Sequence, residues 1–183
     1  MRALLGVSHV IDTVNSAIGK IAEWAVLFAC LVSAGNATVR YLFSYSSNAW
    51  LEAQWYLFAV VVMLGAAYTL LRNEHVRVDL IYGNLSERAR LWVDTLGLIF
   101  FLFPAMIMLA WMTWPFFLDA WTRGEMSSNA GGLVRWPAKL ILPVGFVLIC
   151  LQGLSELIKR IAALTGTSAG EAELVTTYER PTQ

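Results

Sequence analysis

Charged residues along the chain are spaced so as to leave four long gaps. No Asp, Glu, Lys or Arg occurs from Trp24 to Val39, Ala53 to Leu71, Thr95 to Leu118, or Leu140 to Ser155. At about 1.5 Å of rise per residue these windows measure roughly 24, 28, 36 and 24 Å as helices, against a hydrocarbon core of about 30 Å. The two short ones need their flanks. Ile21 and Ala22 extend the first, while Arg40 can keep its stem in lipid and its guanidinium at the boundary. Lys139 does the same for the fourth, which Leu157 and Ile158 lengthen at the other end. A soluble amphipathic helix needs a charged face every 3.6 residues, and the second and third windows have none. The pattern predicts an all-α integral membrane protein with four transmembrane helices, over about 21–43, 50–71, 91–118 and 138–160, in one domain from 21 to 164.

Local signals predict where these helices begin and end. Asn48 is placed to cap the second helix, with Glu52 in its first turn beside the positive end of the dipole. Asn84 or Ser86 caps the third, followed by Glu87. Pro137 suits the first turn of the fourth, where its missing N–H costs nothing. Pro104 falls inside the third window, which is longer than the bilayer core, so that helix is expected to tilt or kink. Gly166 ends the last helix and leaves a polar tail over 165–183. Before the first window, Leu4, Val7, Ile11, Val14, Ile18 and Ile21 form an apolar stripe at helical spacing. It predicts an amphipathic helix over 1–20 lying along the inner membrane surface. A cleaved signal peptide is the competing reading of this segment, with Gly35 and Ala37 as an A-x-A-like site. Asp12 and Asn15 before the apolar run argue against it.

Charge then sets the expected orientation. Arg2, Lys20, Arg72, Arg77, Arg88, Arg90, Lys159, Arg160 and Arg180 fall on one side of the four spans, and Arg40, Arg123, Arg135 and Lys139 on the other. The positive-inside bias puts both termini in the cytoplasm. Tyr41, Tyr45, Trp50, Trp55, Trp114, Trp121 and Trp136 cluster near the outer boundary as an interfacial belt. The 13 basic and 13 acidic residues balance, so no basic field for a nucleic acid exists. Membrane lipids are the expected surroundings.

Candidate chemistry is sparse. The span centres carry no ionisable residue, and Glu23, Arg40, Glu52 and Asp94 read as anchors near helix ends. His9 and His75 lie outside the spans, which leaves no axial ligands for haem. Cys30 and Cys150 read as small packing residues. No GxxxxGK[ST], HExxH, GxSxG or CxxC motif occurs, so no cofactor, metal site or enzymatic activity is expected. Asn36 is the one strongly polar residue well inside a span. Its neighbours at i, i+4, Cys30/Ala34 and Ser33/Ala37, let another helix approach closely. Helix packing is favoured for this stretch over ion coordination.

Three stretches together resemble the small membrane subunit of the tripartite ATP-independent periplasmic (TRAP) transporters. They are Arg40-Tyr41-Leu42-Phe43 followed by Asn48-Ala49-Trp50-Leu51-Glu52; Leu64-Gly65-Ala66-Ala67-Tyr68 running into Arg72 to Asp79; and Ser127 to Gly132 followed by Trp136-Pro137-Ala138-Lys139 and Leu142-Pro143-Val144-Gly145. The resemblance covers about residues 17–160. It implies a scaffold subunit in a bacterial inner membrane, supporting a large multi-spanning subunit that carries the substrate and sodium sites. A periplasmic solute-binding protein would deliver an organic acid to that complex. Many relatives have two adjacent acids early in the second span; here Glu52 is followed by Ala53 and Gln54. The alternative function is a small stand-alone homo-oligomeric transporter or channel.

The candidate structural or partner-facing residues are Arg40, Asn36, Trp50, Glu52, His75, Arg77, Asp79, Trp136 and Pro143. Arg40 and Glu52 either pair to fix the first hairpin or serve as two independent interfacial residues. His75, Arg77 and Asp79 alternate along an inner loop, either solvated or facing the large subunit. The Gly- and Ser-rich outer loop from Asp119 to Trp136 is the candidate contact for the binding protein.

Overall fold

A computed structural model describes residues 2–75 and 82–166. Among them, four rods carry the fold: α1 (Arg2–Phe43), α2 (Asn48–Leu71), α3 (Glu87–Thr122) and α4 (Trp136–Leu164). Each is long and apolar enough to cross a membrane. The caps are local. Ser47, not Asn48, accepts from the Ala49 N–H at the start of α2, which leaves Asn48 free to reach elsewhere and puts Glu52 beyond the first turn. Ser86 accepts from Ala89 N and starts α3 with Glu87 behind it. Pro137 stands in the first turn of α4, and Gly166 follows that helix with φ +72°.

The long third window resolves into two α-segments joined by a π-turn over Leu98–Leu102. Pro104 explains it. A proline cannot donate to the carbonyl four residues back, and its ring crowds that carbonyl. Widening the preceding turn, so that Phe103 N bonds Leu98 O instead, relieves the crowding while keeping the rod continuous.

Four glycines set how the rods meet. Gly19 lies against Tyr68 and Ala22 against Gly65, so α1 and α2 form an antiparallel hairpin. A Cβ on Gly145 would come 2.8 Å from Met63 Cβ and 2.9 Å from its carbonyl oxygen, which packs α4 beside α2. At Gly153 a Cβ would lie 2.8 Å from Leu102, which seats α3 on α4. α1 also packs on the terminal half of α4, whereas α3 packs chiefly on α4 alone. The result is an open arrangement with a hairpin end, where the α1–α2 and α3–α4 loops lie, and a terminal end, where α1 begins and α4 stops.

Helix α1 runs unbroken through the boundary expected near residue 20. Instead of turning away along a surface, its first turns continue beside α4 through contacts of Ser8 and Asn15. The apolar stripe Leu4, Val7, Val14 and Ile21 points outward, 46–57% exposed. The seam one residue along (Leu5, Ser8, Asn15, Gly19 and Ala22) is the buried one. Small and polar residues dominate the interior, beside a few large apolar ones such as Leu5, Leu98, Phe117 and Leu148: the largest fully buried side chains are Gln152, Asn15, Ser8 and Ser155. In water this would be an inverted core. In lipid, where apolar side chains gain nothing by facing each other, close packing and hydrogen bonds hold helices together.

Candidate functional sites at the two ends of the bundle

At the hairpin end, α4 starts lower than α2, and residues 123–135 fold into the space above it. Glu52, one turn into α2 and only 4% exposed, organises that loop. Its Oε1 accepts from Ser127 Oγ and from Asn129 Nδ2 at 2.9 Å, and its Oε2 accepts from Leu133 N at 2.6 Å. Gly132 makes room: a Cβ there would lie 2.8 Å from Glu52 Oε1 and 2.5 Å from Ser127 Cβ. Asn48 Nδ2 donates to Ala130 O and Tyr56 Oη to Val134 O, both at 2.9 Å. Side chains from the first two turns of α2 thus replace the backbone ladder the loop lacks, apart from a single antiparallel bridge, Met126 with Val134. Lys139, at the start of α4, pairs with Glu125 and lies 3.9 Å from the centre of the Phe116 ring.

This geometry corrects the Arg40–Glu52 pairing. Arg40 is exposed and makes no ion pair among the described residues, while both Glu52 oxygens accept hydrogen bonds from the loop. The Gly- and Ser-rich composition of residues 123–135 therefore reflects a shaped loop, and its anchor is a carboxylate some eighty residues earlier in the chain.

The terminal end holds the second cluster, between α1, α4 and the start of α3. Ser8 Oγ lies 2.6 Å from Ser155 Oγ, and Asn15 Nδ2 donates to Gln152 Oε1 at 2.8 Å. Gln152 Nε2 and Ser155 Oγ both donate to Asp12 Oδ1, at 2.9 and 2.6 Å. Lys159, 3% exposed, bridges Asp12 Oδ2 at 2.6 Å and Glu156 Oε1 at 2.9 Å. Arg160 pairs with Glu156 and stands 3.5 Å from Asp94 Oδ2, which also accepts from Tyr82 Oη. Burying such ions gives little net stability, yet removing one partner leaves an uncompensated charge. Acids and bases here hold helices in register, and the Ser8 and Ser155 hydroxyls are taken up in the same inter-helix bonds.

The other predicted residues are dispersed. Asn36 is half-buried in a cleft of about 460 Å³ with Ser33, Arg40 and Gln54. Trp50 is exposed, and Trp136 meets Trp121 edge-on at 4.5 Å. Pro143 is buried and lines an apolar groove of about 980 Å³ between α3 and α4, with Trp111 and Leu148. His75 is exposed, and Arg77 and Asp79 lie outside the described residues. No group of three or more His, Cys, Asp and Glu among the described residues could hold a metal.

Sequence reading missed the terminal cluster. Lys159 and Arg160 served only as topology charges, and Asp12 and Asn15 only as evidence against a leader. The available signal was periodic: Ser8, Asp12 and Asn15 recur at i, i+4, i+7, and Gln152, Glu156 and Lys159 at i, i+4, i+7. Two polar stripes on helices that each also carry an apolar stripe imply that they face each other.

No curated protein and no solved structure matches this chain. The sequence profile described as tripartite ATP-independent periplasmic transporters, DctQ component, matches residues 29–163. That interval contains α2, α3, nearly all of α4, the loop held by Glu52 and the α4 half of the terminal cluster. With four apolar rods, polar side chains committed to packing them, and a family match over more than half its length, the chain belongs to the DctQ family of TRAP transporter small membrane subunits, a transporter component and not an enzyme.

Proposed function

We propose that the chain is the scaffold subunit of a sodium-coupled, binding-protein-dependent uptake system for organic acids, in a bacterial inner membrane with both termini cytoplasmic. A large multi-spanning subunit carries substrate and sodium, and a periplasmic protein delivers the acid. The observation that carries this reading is the use of the buried polar side chains. At both ends they join helix to helix or helix to loop, while large apolar side chains such as Trp24, Phe58, Phe101 and Trp111 face outward, 61–81% exposed. Such a body is rigid and suited to a neighbour. The nine-to-four excess of basic residues on the terminal side supports the orientation.

Reconstitution tests it. Proteoliposomes holding this chain and the large subunit should take up labelled organic acid only with an inward sodium gradient and the binding protein outside. Liposomes holding this chain alone should show no flux. Flux from this chain alone would refute the proposal and establish the stand-alone transporter.

A further inference from the structure

Glu23 and Lys20 stand just before the apolar window of α1, and by sequence they belong to a helix end. Helix register places them elsewhere. Ala22 abuts Gly65, and Arg72 follows Gly65 by seven residues on α2. Glu23 therefore lies about 12 Å from the level of Arg72, on the hairpin-end side. Met63 in turn abuts Gly145, so the same level crosses α4 inside its charge-free window, Leu140 to Ser155. An acid and a base thus stand beside the apolar middles of two neighbouring helices. Both are exposed, and neither has a partner among the described residues. Lys20, nearer the boundary, has a stem long enough to snorkel; Glu23 does not. An ionisable group at that depth faces protein or a water-filled cavity, because lipid tails leave it unsatisfied.

The same face continues upward as a seam. Lys20, Glu23, Leu27, Cys30, Ala34 and Ala37 recur at spacings of 3 and 4, and all six are exposed. This is the periodicity with which one helix lies along another. Above the two charges, Cys30, Ala34 and Ala37 open into a groove of about 640 Å³ whose far wall, on α2, includes Gln54. The stripe from Leu4 to Ile21 lies on a different side of α1 and suits lipid. Charge therefore separates the two outward faces: a lipid chain satisfies one, and only complementary polar groups satisfy the other.

We propose that this face of α1 seats a transmembrane helix of the large transport subunit, which supplies polar partners to Lys20 and Glu23 and packs closely on Cys30, Ala34 and Ala37. The inference rests on the scaffold-subunit reading and names its docking surface. The test uses the full chain coexpressed with the large subunit, with a photo-crosslinking amino acid at Leu27 or Ala34 and, as controls, at Val7 or Val14. Crosslinks to the large subunit are expected from the first pair and not the second, identified by mass. Glu23→Lys should lower copurified large subunit about tenfold or more, as an unpaired charge pressed against a partner does, with the melting temperature of the isolated chain unchanged. Crosslinking from Val7 and Val14 but not Leu27 or Ala34, a crosslinked dimer of this chain, or undiminished copurification of Glu23→Lys would overturn the docking face. Failure of the unmodified chain to copurify with the large subunit would instead overturn the scaffold reading itself.

Discussion

Replacing Gln152 by Leu removes the centre of the terminal cluster without changing its volume much. Gln152 is fully buried, accepts from Asn15 Nδ2 and donates to Asp12 Oδ1. After the change Asp12 still has Ser155 and Lys159. Asn15 has nothing, because its Oδ1 is already without a donor. A buried donor left unpaired costs about 1–3 kcal/mol, so Gln152→Leu should destabilise by about 2 kcal/mol, near thirtyfold in the unfolding constant. Asn15→Leu should cost less, since it orphans only an acceptor that Asp12 and Glu156 do not depend on. The double variant is the decisive one: with both partners apolar, no donor is stranded, and it should be more stable than the sum of the singles. Inter-helix hydrogen bonds in membrane proteins average about 0.6 kcal/mol and reach about 1.7, so a coupling of about 1 kcal/mol is expected. Equilibrium unfolding in mixed micelles, followed by the fluorescence of the eight tryptophans, measures all four corners. Additivity of the two single changes, within about 0.3 kcal/mol, would refute the pairing.

Lys159→Met leaves Asp12 and Glu156 facing each other without their shared base and should cost about 3 kcal/mol or more by the same unfolding assay; a smaller loss than Gln152→Leu would show that the ions are not buried together. Gly145→Ala puts a methyl against Met63 Cβ and its carbonyl oxygen. It should destabilise by about 1–3 kcal/mol, and an unchanged melting temperature would contradict the α2–α4 register. Glu52→Ala should raise amide hydrogen exchange across residues 123–135, most at Leu133, whose N–H it accepts. Arg40→Ala should leave exchange in that loop at wild-type rates, since Arg40 takes no part in holding it; faster exchange would restore the Arg40–Glu52 pairing.

Much of the fold was legible because it is written locally. Four charge-free windows gave four rods, since the bilayer sets a length and excludes charge over it. Ser86, Pro137 and Gly166 act within one turn of their own positions, and Pro104 marked the place where α3 departs from α-helical geometry. The stretches that resembled the TRAP small subunit, from Arg40 to Gly145, lie inside the interval that the family profile matches.

Tertiary structure decided what the polar residues are for. Glu52 and Leu133 are 81 positions apart, and Ser8 and Ser155 are 147 apart. No windowed property of a chain reports on such pairs. Hydropathy separates polar from apolar but cannot say whether a carboxylate near a helix end meets water, lipid headgroups or another helix. On α1 the ambiguity is geometric. The apolar stripe and the small, polar seam share the same period and differ by a one-residue offset, so periodicity marked the outward stripe but not the seam that packs on α2 and α4. Only the approach of Tyr68, Gly65 and Ser155 to Gly19, Ala22 and Ser8 fixed the rotation of that helix and the level of Glu23 beside α2.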